Sequence, residues 1–215
     1  MTPEQRRALV LASKHRTIEG KLVRLVPSKP EHAAEMCRLR NQPRAISWLL
    51  QGGELGVEQQ TAWILRTDAK DDDISWTVFD RAGRAIGTNA LYDIDAEGDG
   101  AEKGRLTVDE AVGLEAPYAL ESDLLLIGFA LGELGLRAIR TRVRHDNLKM
   151  QSMNARLGFE RVGEHIARGV PHIDQLLRRD SFDPRPLDAI IDHWSKRHER
   201  GKAQATVRRE SQDPR

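Results

Sequence analysis

The stretch from Glu102 to Phe159 constrains the fold more than any other. It reads in order as a strand (104–108, GRLTV), an irregular loop (109–119), a long helix, a second strand (138–144) and a short helix closing on Leu157-Gly158-Phe159. In the long helix Leu120, Leu124, Ile127, Leu131 and Leu134 recur at alternating steps of four and three, the spacing of one buried helical face. Gly128 and Gly132 are expected to let that helix lie close to a sheet. A strand that feeds a helix and returns as a strand is a crossover unit. The N-terminus of such a helix points out of the sheet, where its free N–H groups and its dipole favour an anion.

The upstream half supplies the rest of a sheet. Thr2 and Pro3 open a short helix over 3–14. LVRLVP (22–27) is a first strand. Ser28 is placed to cap the next helix and Glu31 to complete a capping box, with Ala34, Met36, Cys37 and Leu39 as the apolar positions. Pro43 ends that helix by disfavouring helical geometry in Gln42. Ile46, Trp48, Leu49 and Leu50 follow as an apolar turn, Gly52-Gly53 breaks the chain, and a further helix runs from about 57 to 67. Asp71-Asp72-Asp73 is expected to be a solvated turn. ISWTVFD (74–80) alternates with period two, 81–84 is a tight turn, and 85–95 is the next strand. With 104–108 these make an antiparallel meander. Beyond Phe159, strands are expected at 160–167 and 171–181, then a helix from Asp183-Pro184 holding Leu187, Ile190, Ile191 and Trp194. The expected boundaries are an appendage over 1–19, the main domain over 20–182, a C-terminal helix over 183–200 and a disordered polar tail over 201–215.

The chain's 215 residues suffice for one domain with a real core. A formal net charge of +1 gives no global field to draw it onto nucleic acid or membrane. The basic run from Lys196 to Arg209 reads as a solvated tail. The single cysteine, Cys37, excludes an internal disulfide, and no metal-ligand spacing surrounds it. No apolar run has membrane-spanning length and the N-terminus lacks a signal-peptide core. The expectation is a cytoplasmic protein with no metal, no nucleic-acid partner and no membrane partner, with room for a homodimer.

The element order and the spacing of Asn147 from Leu157-Gly158-Phe159 resemble the GNAT superfamily of acyl-coenzyme A-dependent N-acyltransferases. The resemblance implies an α/β (α+β) GNAT fold: a central, mostly antiparallel twisted sheet with splayed parallel strands and helices on both faces. It implies acetyl-CoA as co-substrate. In that family the loop before the main helix has the pattern Gln/Arg-x-x-Gly-x-Gly/Ala, and its backbone N–H groups hold the coenzyme A pyrophosphate. The window falls here on Leu114-Glu115-Ala116-Pro117-Tyr118-Ala119. Ala119 fits the last position. Pro117 replaces the first glycine and has no N–H to give, Leu114 replaces the basic or amide residue, and Glu115 adds a negative charge. Leu114, Glu115, Ala116, Tyr118 and Ala119 are the implied cofactor contacts, with Lys149, Arg137 or Arg140 as compensating cations. Asn147 is implied to meet the pantetheine arm and also suits a helix N-cap. Met150, Met153 and Leu157 read as core.

The family mechanism implies that the backbone N–H of Val108 or Asp109 polarises the thioester carbonyl. Glu102, at the start of that strand, is the implied base, with Asp95, Asp109 and His145 as other candidates. A tyrosine found in many members four residues before the Leu-Gly-Phe glycine is Asn154 here. Asn cannot act as an acid, so the thiolate leaves unassisted or takes a proton from water. LRNQPRAISWLL (39–50), followed by a helix with Trp63, resembles the enzymes that acetylate nucleotide-linked amino sugars and those that acetylate the N-termini of ribosomal proteins. It implies that Arg40, Asn41 and Trp48 wall an acceptor pocket, and a surface-polysaccharide or flagellin-sugar pathway. Three functions stay open: acetylation of a small-molecule amine, with a nucleotide amino sugar first; protein N-terminal or lysine acetylation; and a GNAT-fold binding module without transfer, which LEAPYA and Asn154 together permit.

Overall fold

The computed structural model describes residues 1–49 and 51–210, with side chains through 198; Leu50 and 211–215 lie outside the described residues. One eight-stranded sheet runs in the order β1-β2-β3-β4-β5-β6-β8-β7. The strands are β1 (Ile18–Glu19), β2 (Val23–Pro27), β3 (Ile74–Asp80), β4 (Ala85–Tyr92), β5 (Ala101–Val108), β6 (Ala138–Arg144), β7 (Glu160–Ala167) and β8 (Val170–Arg178). Every neighbouring pair is antiparallel except β5 and β6, which are parallel. The parallel pair brackets the crossover expected from the sequence, through α5 (Tyr118–Gly128). The sheet is thus the expected α/β arrangement, mostly antiparallel with one parallel join.

Period-two alternation in β3 serves two helical layers. Trp76 turns to one face and meets Phe129 edge-on, with ring centroids 5.9 Å apart. Phe79 turns to the other and meets His32 at 5.4 Å, just before α2 (Ala33–Arg40). Leu124, Ile127, Leu131 and Leu134 are buried in the main core, with Leu120 packed against it. Past Gly128 the helix widens into a π turn over Phe129–Glu133, where Leu134 donates its N–H to Phe129 five residues back. Gly135, at φ +67°, then ends it. The expectation for Gly128 and Gly132 fails: a Cβ added at either meets nothing within 4 Å, so neither marks a close approach.

An ion pair buried between sheet and helix fixes α5. Lys103 Nζ on β5 lies 2.6 Å from Asp123 Oδ2, and the Asn89 amide on β4 donates to Asp123 Oδ1 at 3.0 Å. At the same helix the Glu121 carboxylate accepts the N–H groups of Lys21, Leu22 and Val23, each at 2.7 Å, which pins the β1–β2 turn. Burial lifts the Glu121 carboxyl above its usual range despite these three donors.

Several boundaries differ from expectation for local reasons. Ser28 caps no helix; its hydroxyl pairs with those of Ser75 and Thr77 at 3.2 Å each, while a 3₁₀ turn over Pro30–His32 leads into α2. Ala34 faces solvent and Ala33 takes the buried position. Pro43 ends one helix and also opens another, α3 (Pro43–Trp48), at the helical position that tolerates its missing N–H. The helix expected over 57–67 is α4 (Val57–Asp68). The N-terminal helix α1 (Pro3–Ser13), capped by Thr2, is tied to the main domain by Arg6, buried, which donates to the carbonyls of Ala96 and Leu134. After α6 (Leu148–Arg156) and the β7–β8 hairpin, α7 spans Arg185–Glu210, ten residues past the end expected at 200. Among the described residues no helix is long and apolar enough to cross a membrane.

Candidate active site

The parallel strands β5 and β6 share only two register pairs, Ala101 with Ile139 and Glu102 with Arg140. Beyond these the strands part, while β6 stays paired to β8 along its length. Strands that leave a ladder bare their backbone N–H and C=O groups to whatever lies between them. The gap opens into a cleft of about 240 Å³. Leu106, Thr107, Val108 and Asp109 form one bank, and Asn147, Lys149, Met150 and Met153 of the α6 region form the other. Leu114 and Ala119 mark the end where α5 begins, and Ala45 and Trp48 of α3 close the side.

On the β5 bank the ladder is broken by a bulge. Thr88 pairs with Thr107 and Ala90 with Gly104, so Arg105 and Leu106 together oppose Asn89 alone. Arg105 has φ +56°. Thr88 repairs the gap, donating its N–H to Thr107 Oγ1 at 3.1 Å and its hydroxyl to the Arg105 carbonyl at 2.7 Å. Leu106, the second bulge residue, lines the cleft. The Asp109 N–H, one of two expected to polarise a carbonyl, donates instead to Ile86 O at 2.7 Å. Val108 lines the cleft.

The loop before α5 folds on itself. Val112 and Gly113 both donate to Asp109 O, Glu115 donates to Val112 O, and Tyr118 donates to Ala116 O. Of the window 114–119, Glu115 and Tyr118 therefore have no N–H to spare and Pro117 has none. Leu114, 90% exposed, and Ala119 line the cleft outside these turns. The first-turn amides of α5 at Ala119 and Leu120 have no carbonyl four residues back within the helix. Glu115 turns away to Arg84 at 3.1 Å, Ala116 is buried in the core, and Tyr118 lines a different groove with Arg84 and His198. The N–H contacts implied for Glu115 and Tyr118 are thus spent elsewhere: Glu115 closes a turn on Val112, and Tyr118 closes the tight turn centred on Pro117.

Asp109 organises the rim. Its carboxylate accepts from Arg38 at 2.5 Å, from the Gln42 amide at 2.9 Å and from the Ala111 N–H at 3.0 Å. Burial pushes the Asp109 carboxyl up, but the Arg38 and Gln42 side chains and the Ala111 N–H outweigh it and leave the group below the usual carboxylate range. A carboxylate so occupied is a weak base. Glu110, exposed beside it, accepts the Arg44 N–H at 3.1 Å and donates its own N–H to Gln42 Oε1 at 3.0 Å, which docks the start of α3 onto β5. At the other end of α3, Arg144 of β6 donates to Ser47 O at 3.0 Å and lies 4.9 Å over the Trp48 ring. The α3 wall therefore bridges both banks.

Several other implied site residues lie outside the cleft lining. Glu102 is buried, accepts from the Tyr92 hydroxyl at 2.7 Å and pairs with Arg142 at 3.1 Å. His145 is exposed at the end of β6, where its N–H donates to Pro171 O. Asp95 holds a turn by accepting the N–H groups of Glu97 and Asp99. Asn154 is buried, its amide donates to Gln175 Oε1 at 2.7 Å, and its own carbonyl oxygen has no partner among the described residues. Arg40 lies 5.9 Å over Trp63, and Asn41 ties down the next loop through Leu55. Arg137 pairs with Asp99 rather than serving the cleft. Asn147 is in the cleft and also caps α6, accepting the Met150 N–H at 3.2 Å. Met150 lines the cleft, Met153 lines it while also packing against the main core, and Leu157 is core. Gln42, Arg44, Leu106 and Glu110 were not singled out from sequence; their signal was adjacency to Trp48 and Asp109. Asp73, expected to be solvated, is buried under Arg105. Among the described residues no group of three His, Cys, Asp or Glu could hold a metal.

A family model described as the acetyltransferase (GNAT) domain matches residues 23–160. No curated protein matches the chain. Among solved structures, FdhC, described as a nucleotide-linked sugar GNAT, matches with a TM-score of 0.70 at 18% identity, over 82% of this chain and 98% of its own. A probable acetyltransferase (GNAT family) from Chromobacterium violaceum matches with a TM-score of 0.67 at 21% identity, over 77% and 87%. Spermidine N-acetyltransferase from Vibrio cholerae, in complex with CoA and spermine, matches with a TM-score of 0.68 at 14% identity, over 75% and 98%. At these identities the likeness is one of fold.

Proposed function

The chain belongs to the acetyltransferase (GNAT) family, and from that premise we infer that an acetyl group passes from acetyl-CoA to an amine in the cleft between β5 and β6. One observation carries the reading: the two strands part after two register pairs, beside the N-terminus of α5. That leaves room for an extended thioester arm whose anionic end meets the first-turn amides and Lys149. Ala119, Asn147 and Lys149 fit the co-substrate; the turns before α5 reduce what the loop itself can give. The amine lone pair attacks the thioester carbonyl carbon, the oxyanion takes backbone N–H donors of the bulge region around Leu106 and Val108, and the C–S bond breaks. Each such donor is worth roughly 10²–10³ in rate. The amine proton leaves to Glu110 or water, and the thiolate takes a proton from water, since Asn154 can donate none. A cytoplasmic location suits this co-substrate.

The acceptor we propose is a nucleotide-linked amino sugar. Trp48 offers a flat face for a base or sugar, and Arg44 beside it offers a fork for a phosphate. The test is thiol release from acetyl-CoA with three acceptors: a nucleotide-linked amino sugar, a peptide with a free N-terminus, and spermidine. Turnover with the sugar nucleotide at least tenfold above the others supports the reading. Preference for the peptide would favour protein acetylation, and binding of acetyl-CoA without transfer to any acceptor would favour a binding module.

A further inference from the structure

We propose that Arg105 is a positioning residue for acetyl transfer: gripped by Asp73 and stacked on Trp63 and Tyr92, its guanidinium holds the β5 bulge in the shape that meets the thioester. This rests on the functional reading above. Three separate observations converge on Arg105. Its backbone sits at φ +56°, a left-handed conformation that a side-chain-bearing residue enters at a cost. The ladder is broken at the same place, and the Arg105 carbonyl is satisfied by the Thr88 hydroxyl. Its side chain is held from several sides: Nη1 donates to Asp73 Oδ1 at 2.7 Å and Nη2 to Asp73 Oδ2 at 3.0 Å, while the guanidinium carbon lies 4.1 Å from the Tyr92 ring and 5.2 Å from the Trp63 ring.

A left-handed residue persists in a strand only where its surroundings fix it. If the strand needed only the bend, glycine would adopt it freely. The chain instead places there the side chain best suited to a two-point grip on a carboxylate and to stacking on a ring. Arg105 reaches toward β3 and α4, while its neighbour Leu106 lines the cleft. The clamp therefore ties the cleft-lining backbone to a rigid layer behind it. It also extends sideways: the Tyr92 hydroxyl donates to Glu102, and Glu102 pairs with Arg142 on β6, the strand of the opposite bank.

The test uses the full chain and three variants. Arg105→Gly removes the clamp and leaves the backbone free to stay left-handed. Asp73→Asn keeps Arg105 and weakens its partner, and Arg105→Lys keeps the charge without the fork. Each is compared with wild type for kcat on the accepted amine, for Kd of CoA by calorimetry, and for the carbonyl stretch of bound acetyl-CoA by isotope-edited infrared spectroscopy. A lost positioning contact should lower kcat by roughly tenfold or more in all three, leave the CoA Kd within about threefold and shrink the carbonyl shift. Unchanged kcat and carbonyl shift in Arg105→Gly overturn the proposal. So does a parallel loss of kcat, CoA affinity and melting temperature, which would mark Arg105 as a general brace. If wild type neither binds acetyl-CoA nor releases thiol, the functional reading fails and the positioning role falls with it; active wild type with indifferent variants sinks the clamp alone.

Discussion

Asp123→Asn removes one charge from an ion pair that water does not reach. Lys103 Nζ lies 2.6 Å from Asp123 Oδ2, and the two side chains are 3% and 0% exposed. The ammonium's other neighbour is the Phe159 ring, with its centroid 5.3 Å away. Asparagine fills the same space and can still accept from the Asn89 amide, but its NH2 group then faces the Lys103 ammonium, so the substitution removes both the charge and the oxygen that Lys103 uses. A buried charge stripped of its partner costs about 3–5 kcal/mol. For a chain of this size that lowers Tm by roughly 6–20 °C, at about 2–4 °C per kcal/mol. Lys103→Met should cost a similar amount by leaving the carboxylate alone. The double variant Lys103→Met/Asp123→Asn removes both charges and should return to within about 2 kcal/mol of wild type. Urea unfolding followed by tryptophan fluorescence reads all four proteins. A loss below about 1 kcal/mol for Asp123→Asn, or a double variant as weak as the sum of the singles, refutes the reasoning that this pair pins α5 to β5.

A methyl group added at Gly87 falls inside the van der Waals surface of the Thr107 carbonyl oxygen, so Gly87→Ala should displace β5 at its bulge, cost about 1–3 kcal/mol and lower kcat, as melting and turnover will show. Trp48→Ala should raise the acceptor KM by roughly 5- to 100-fold, the loss of one stacked base, with kcat little changed in steady-state kinetics. Lys149→Ala should weaken acetyl-CoA binding about tenfold at low salt, with calorimetry at about 0.5 M salt showing a smaller gap. The Asp109 carboxyl is held below the usual range in the folded chain, so its contribution is present above the unfolded carboxylate pKa and is lost as pH falls through the folded one. The stability gap between wild type and Asp109→Asn should therefore be steady from about pH 6 to 8 and close below about pH 4 in pH-dependent urea melts.

Elements carried by side-chain period were legible in the sequence. β3 was placed to the residue because ISWTVFD alternates and its flanks are turn residues. The α5 stripe announced its buried face, since leucines at helical spacing leave few other folds. What periodicity does not encode was missed. The β5 bulge depends on Thr88, Thr107 and Arg105 meeting across strands, and no local pattern reports that. Asp73 looked like part of a solvated run because its partner Arg105 lies far along the chain. The same limit governs the site. Asn147 was expected from the family's spacing to Leu157-Gly158-Phe159, Lys149 as a compensating cation and Trp48 from its segment's resemblance, and all three line the cleft. Glu115 and Tyr118 were expected at the cofactor from their place in a six-residue window, but a turn on Val112 consumes the N–H of Glu115 and the turn centred on Pro117 consumes that of Tyr118.

The central claim is that acetyl-CoA lies between the parted strands β5 and β6 with its anionic end at the start of α5. Hydrogen–deuterium exchange of the full chain with and without acetyl-CoA tests it directly. The account predicts slowed exchange over 104–108, at 119–120 and over 147–153, with little change in β7, β8 and α7. No protection at saturating acetyl-CoA, or protection confined to the groove lined by Tyr118, Arg84 and His198, would contradict it.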